Sequence, residues 1–328
     1  MTKTGGGDRM MKLAVVLSAM LIAAASAHAR NGSDYHLIAG SFEQGRGPDG
    51  NSVFLDAPEG LILIDTGRHP AHRDRLLAYA RERGLPIAAI VNTHWHLDHT
   101  TNNGDIRALY PHAEVYASTA IEGALTGFLA RSRAATERQR AAGRIPEANL
   151  AEVARAFAVM DHPDGLRPTR PVTRSREMRI AGRRLRVNLA PFAATEGDVW
   201  LYDPASRLVI AGDLVVSEVP FLDTACPEGW RRALDAIAAT PFTTLIPGHG
   251  APMDRAAFLE WRSAFVNFID CGGSPQPREA CIAGWRRDAA RFIGPGHETL
   301  IDSMAGYYLD NRLRAAPAER DRYCRPGG

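Results

Sequence analysis

The chain has 328 residues, 45% of them hydrophobic and 23% charged, with a formal net charge of +2, and it fits one large globular domain or two small ones. Its only lysines are Lys3 and Lys12. Both fall in a leader segment, so the remainder excludes Schiff-base chemistry and a P-loop lysine.

The leader covers residues 1–29. Lys3, Arg9 and Lys12 form a basic start, Leu13 to Ala25 an apolar run, and Ala27-His28-Ala29 a small-residue cleavage signal. The run is too short to span a bilayer comfortably. A signal peptide cut after Ala29 is expected, hence a periplasmic or secreted protein with no stable membrane insertion; an uncleaved anchor is the other reading. Cleavage removes Lys3, Asp8, Arg9 and Lys12 and leaves a formally neutral chain, which offers no footprint for nucleic acid. The partner expected is a small-molecule substrate, and the oligomeric state stays open.

Residues 30–50 are polar and glycine-rich and read as an irregular arm with a short strand near Tyr35–Ala39. Ser52–Leu55 and Leu61–Ile64 flank a turn as a hairpin, and Asp65-Thr66-Gly67 follows at the strand end. Pro70 to Arg83 reads as a helix stopped by Gly84, with His69 and His72 as surface residues at its start. Ile87 to Val91 reads as a strand, followed by a short helix after Asn103 and a strand at Glu114–Ala117. Residues 119–165 turn rich in Ala, Arg and Glu, with helical periodicity broken near Gly143–Pro146. They read as an inserted helical pair, serving as scaffold or lid.

Strands return at Met178–Ile180, Leu185–Leu189, Val199–Tyr202 and Leu208–Ala211, the last ending at Gly212-Asp213. A helix at Trp230–Ala239 precedes a strand at Thr244–Ile246 and the turn Pro247-Gly248-His249-Gly250. Asp198 reads as a turn residue, and His112 and His297 as loop residues. Helices at Arg255–Phe268, near Trp285–Arg291 and at Leu300–Leu313 form a C-terminal extension over 256–328. Cys226, Cys271, Cys281 and Cys324 allow three disulfide pairings. Cys271–Cys281, closing a Gly/Pro-rich loop, with Cys226–Cys324 is favoured; no C-x-x-C spacing supports cysteine-bound zinc.

The densest chemistry is His94-Trp95-His96-Leu97-Asp98-His99, which puts four candidate ligands within six residues after an apolar strand. Imidazole and carboxylate are the donors zinc takes when it keeps a position open for water. A metal-dependent hydrolase is the expectation.

Together with Asp65, Gly212-Asp213 and Pro-Gly-His249-Gly, this stretch resembles the metallo-β-lactamase fold superfamily over roughly residues 35–255. The resemblance implies an α/β fold, a four-layer αββα sandwich of two similar halves, here a domain over 30–255. It implies that His94 and His96 hold one metal with a third histidine. Asp98, His99 and His249 hold a second, Asp213 bridges them, and Asp65 orients the metal histidines. The third histidine belongs in a His-Thr-x-Gly-Asp stretch. This chain reads Ala194-Thr195-Glu196-Gly197-Asp198, and a methyl group binds no zinc. One tightly held zinc at Asp98, His99, Asp213 and His249, and a second weak or absent zinc, are therefore expected. His162 and Glu196 are candidates to fill the gap. The implied activity is attack by metal-bound hydroxide on an ester, thioester, lactone or lactam carbonyl, with Asp98 orienting the water or moving its proton. The competing reading is a degenerate periplasmic metal-binding or partner-binding protein.

Overall fold

The computed structural model describes residues 35–41 and 46–326, so the expected leader lies outside the described residues. Runs of β-branched and aliphatic residues form two six-stranded sheets. The first orders β1 (His36–Ile38), β2 (Ser52–Ala57), β3 (Gly60–Ile64), β4 (Ile87–Val91), β5 (Glu114–Ala117) and β6 (Arg170–Pro171) from edge to edge. The second orders β12 (Met253–Asp254), β11 (Thr244–His249), β10 (Leu208–Val216), β9 (Gly197–Asp203), β8 (Arg183–Pro191) and β7 (Arg176–Ile180).

The period of two along each strand sorts side chains into layers. Val53, Leu55, Ile62 and Ile64 meet Leu185, Val187, Leu201 and Ile210 between the sheets. Phe54, Leu61 and Leu63 point the other way, onto α1 (Pro70–Arg83) and α3 (Asn103–Leu109). Trp200, Tyr202 and Val209 pack outward against α7 (Pro227–Ala238), α8 (Arg255–Gly272), α9 (Arg278–Asp288) and α10 (Glu298–Tyr308). Helix, sheet, sheet, helix is the four-layer sandwich expected, with added helices at the C-terminus. A π-helical turn at Leu309–Leu313 and α11 (Pro317–Arg320) close the chain.

The insertion departs from the expected pair. Gly127, at φ −101° and ψ −104°, adds a break that splits α4 (Ile121–Thr126) from α5 (Phe128–Ala141), and α6 (Leu150–Asp161) follows. Ile121, Leu129 and Leu166 share a small core with Trp95 and Leu97 of the histidine stretch, so the insertion is seated beside it. The cysteines pair as favoured, Cys226 with Cys324 and Cys271 with Cys281. Among the described residues no helix is long and apolar enough to cross a membrane.

Candidate metal centre

Parallel pairing of β3 with β4, and of β10 with β11, brings the carboxyl ends of strands from both halves to one edge. β4 delivers Asn92 to His96, and the one-turn helix α2 (Leu97–Thr100) folds Asp98 and His99 back over the strand end. From the end of β3, Asp65 stands in the left-handed region at φ 57°, a conformation aspartate tolerates better than most residues. Its carboxylate accepts from the Thr93 amide at 2.8 Å and the Thr93 hydroxyl at 2.6 Å, and lies 2.8 Å from His99 Nδ1. Asp65 thus holds the backbone and one ring of the cluster at once.

Asp213 is not at a strand end. β10 continues to Val216, and the register slips between Ile210 and Gly212. Gly212 sits at φ 56°, and a Cβ there would come within 2.4 Å of the Thr93 Cβ. Glycine is required for both reasons; the resulting bulge turns the Asp213 side chain inward instead of ending the ladder. His249 is the last residue of β11.

The side chains converge as two groups, His94 with His96 and Asp213, and Asp98 with His99 and His249, each with donor atoms within 4.8 Å of one another. Asp213 faces both. Its Oδ2 lies 3.6 Å from His94 Nε2, and its Oδ1 lies 3.2 Å from His99 Nε2 and 3.5 Å from His249 Nε2. Asp98 Oδ2 lies 3.2 Å from His249 Nε2.

The hydrogen-bond network decides what these atoms can hold. The Thr93 hydroxyl donates to Asp65, so it accepts from His94 Nδ1–H at 3.0 Å, and His94 Nε2 carries a lone pair. The Thr224 hydroxyl donates to the Ala194 carbonyl at 3.0 Å, so it accepts from His96 Nε2–H at 3.1 Å, and His96 Nδ1 carries a lone pair. Those two lone pairs face each other at 3.0 Å. The buried Oδ2 of Asp213 lacks a hydrogen-bond donor, and its Oδ1 has only the His99 ring, 3.2 Å away. Lone pairs aimed at each other beside a carboxylate oxygen without a donor are repulsive without a cation. The donor set therefore fits divalent metal, with nitrogen and oxygen ligands suited to zinc.

The ionisation pattern agrees. Burial, helped by the His99 charge, pushes His94 well below the usual imidazole range, and burial lowers His96. Burial alone would lower His99, but the carboxylates of Asp213, Asp65 and Asp98 raise it well above its ordinary value. Burial would raise Asp98 and Asp213, but the neighbouring histidines hold both well below the carboxylate range. Without metal, His99 carries the proton that balances the carboxylates; a metal ion would displace it.

A cavity of about 400 Å³ opens beside His96 and Asp98. Its apolar wall comes from Phe128 and Leu129 of α5, Val153, Phe157 and Met160 of α6, and Met304 of α10. Arg68, 4.0 Å from Asp98, and the hydrogen-bonded pair Tyr308 and Asp223 supply its polar edge.

Several residues singled out from the sequence meet a different environment. His69 and His72 are buried rather than at the surface. His69 Nδ1 lies 2.8 Å from Asp49 Oδ2, and His72 Nε2 lies 2.8 Å from the Ser52 hydroxyl, with burial lowering His72 to about 4. Asp198 is not in the turn but is the second residue of β9, a buried carboxyl accepting from the Thr195 amide at 2.8 Å. His162 is exposed at the end of α6, and the Glu196 carboxylate lies over Gly123 of α4. Neither belongs to the two donor groups found among the described residues; the Thr224 hydroxyl, which sequence reading missed, bonds the Ala194 carbonyl.

Asp198 carries a pH prediction. Burial, with the Asp213 charge behind it, pushes its carboxyl from 3.8 up to about 7, against the Thr195 hydrogen bonds. The folded state thus holds this proton more tightly than the unfolded chain. The stability it contributes is complete below about pH 4 and is lost as pH rises through about 7. In metal-stripped protein the loss is at most about 4 kcal/mol, and Asp198→Asn should remove it. Urea unfolding of both proteins across that range checks this; parallel stability curves would exclude it.

The structure is a two-half αββα sandwich with histidines and aspartates gathered along one edge of the sheets. Residues 45–249 match the model of the metallo-beta-lactamase superfamily, and the chain belongs to that superfamily. It is 27% identical over 237 residues to a linear primary-alkylsulfatase from a Pseudomonas species, a match covering 63% of this chain and 42% of that enzyme. The chain thus spans less than half the length of that relative. A metallo-beta-lactamase family protein from Thermus thermophilus superposes with a TM-score of 0.56 at 20% identity, covering 84% of this chain and 93% of the other. A sec-alkyl sulfatase superposes at 0.53 with 17% identity, covering 79% of this chain and 47% of the other. Such identities speak to the fold.

Proposed function

We propose that this protein is an exported, zinc-dependent hydrolase of small molecules that carry an apolar group beside an ester, thioester, lactone or lactam bond. The observation that carries the reading is the convergence of lone pairs from His94 and His96 with the Asp213 carboxylate, beside a cavity with an apolar wall. His94, His96 and Asp213 would hold one ion, and Asp98, His99, His249 and Asp213 the other. Bound there, zinc acidifies water enough for attack near neutral pH and polarises the attacked oxygen.

The chain's own residues do the rest. Asp98 is ionised and reaches the cavity, so it can orient the attacking water and take its proton. Asp65 keeps His99 in the tautomer whose Nε2 faces the cluster. The helices α5, α6 and α10 exclude water from the apolar part of the substrate. The leader-like residues 1–29 and the two disulfides support export. The alkylsulfatase relative makes a sulfate ester the next bond class to test.

The test is zinc-loaded protein assayed on esters, thioesters, lactones, lactams and sulfate esters of graded alkyl length. Each methylene that enters the cavity should raise kcat/KM about fourfold, the equivalent of about 0.8 kcal/mol, until the wall is filled. No turnover in any class, with metal still tightly held, would favour the binding-protein reading.

A further inference from the structure

The position where this chain lacks a metal-binding histidine is not idle. The Ala194 carbonyl accepts from the Thr224 hydroxyl at 3.0 Å, and that hydroxyl lies 3.1 Å from His96 Nε2. A carbonyl can only accept, so the single hydroxyl proton of Thr224 is directed to it and the imidazole must donate. We propose that Thr224 is a positioning residue that locks His96 as the Nε2–H tautomer, through a relay ending on the Ala194 carbonyl, so that Nδ1 is offered to the metal.

Both ends of the relay are held rigidly. The turn carrying Ala194 is closed by Ala193 N–H donating to the Thr195 carbonyl at 2.8 Å, and by Asp198 accepting from the Thr195 amide and hydroxyl. The loop carrying Thr224, between β10 and α7, is gripped by the C-terminal extension. Arg312 donates to the Leu222 carbonyl at 3.0 Å, and the Tyr308 hydroxyl donates to Asp223 at 2.9 Å. Cys226 is bonded to Cys324, and its amide donates to the Ala193 carbonyl at 2.9 Å, tying loop and turn together. Thr224 itself is buried, so water does not replace its hydroxyl. A ring restrained this way loses less freedom on binding, which offsets part of what a missing third imidazole costs.

The proposal rests on the metal reading above, and the experiment separates the two. Zinc affinity is measured by competition with a chromophoric chelator for wild type, Thr224→Val and Thr224→Ser, all checked for native folding by circular dichroism. The valine variant should bind one of its ions roughly 10- to 100-fold more weakly, and the serine variant, which keeps the hydroxyl, should recover wild-type affinity. Nitrogen-15 NMR of His96 in metal-free protein should show Nε2–H in wild type and in the serine variant, and a mixture in the valine variant. Unchanged zinc affinity in Thr224→Val, or a wild-type His96 protonated at Nδ1, overturns the relay. Should wild type bind no zinc while His96 is protonated at Nε2, the metal reading fails and the relay stands.

Discussion

Asp98→Ala and His249→Ala should each abolish hydrolysis while the chain stays folded. The Asp98 oxygens face His249, His99 and, at 4.0 Å, Arg68, with no backbone partner among the contacts described. His249 likewise directs Nε2 into the cluster, 3.3 Å from His99 Nε2. The two side chains meet only each other and the cluster, Asp98 Oδ2 lying 3.2 Å from His249 Nε2, whereas Asp65 ties the end of β3 to the Thr93 backbone and to His99. Their removal should therefore leave the sandwich intact and take away zinc donors and, with Asp98, the group placed to move a proton. The expected loss is about 10³-fold or more in kcat, of order 4 kcal/mol of transition-state stabilisation. Turnover assays paired with circular dichroism check it, and retained turnover in both variants refutes the proposed roles.

The largest stability effect should come from the long disulfide. Cys226 and Cys324 are 98 residues apart in sequence, and Cys271 and Cys281 are 10 apart. Loop-closure entropy assigns roughly 4.7 kcal/mol to the first and about 2.7 to the second. The paired substitution Cys226→Ser with Cys324→Ser should thus cost about 2 kcal/mol more than Cys271→Ser with Cys281→Ser in urea unfolding. It should also weaken zinc binding, because Cys226 anchors the loop that presents Thr224 to His96. Equal destabilisation by the two pairs, with zinc affinity unchanged, would show that the loop needs no such anchor.

What could be read from the sequence was local in it. His94, His96, Asp98 and His99 follow a short apolar strand, so their convergence needs only one turn of chain. The αββα layers follow from strand alternation and helix periodicity together with the family resemblance. The partners of His69 and His72 were not legible, because Asp49 and Ser52 come from an arm and a strand start whose approach is set by tertiary packing. Asp198 makes its hydrogen bonds to Thr195 nearby, but its burial depends on the whole second half. Thr224 lies in a loop without periodicity, 128 residues from His96, and no pattern in the sequence connects them. The bulge at Gly212 was half visible: glycine marked the spot, but only the close approach to Thr93 shows why the strand bends there rather than ends.

Elemental analysis of exhaustively dialysed protein, with turnover measured on the same samples, tests the metal centre most directly. One zinc per chain should remain, held by Asp98, His99, Asp213 and His249, with a second ion appearing only when free zinc is supplied. Hydrolysis should vanish with chelation and return with zinc. A folded chain that keeps no divalent ion, or one whose turnover is indifferent to chelation, would contradict the account.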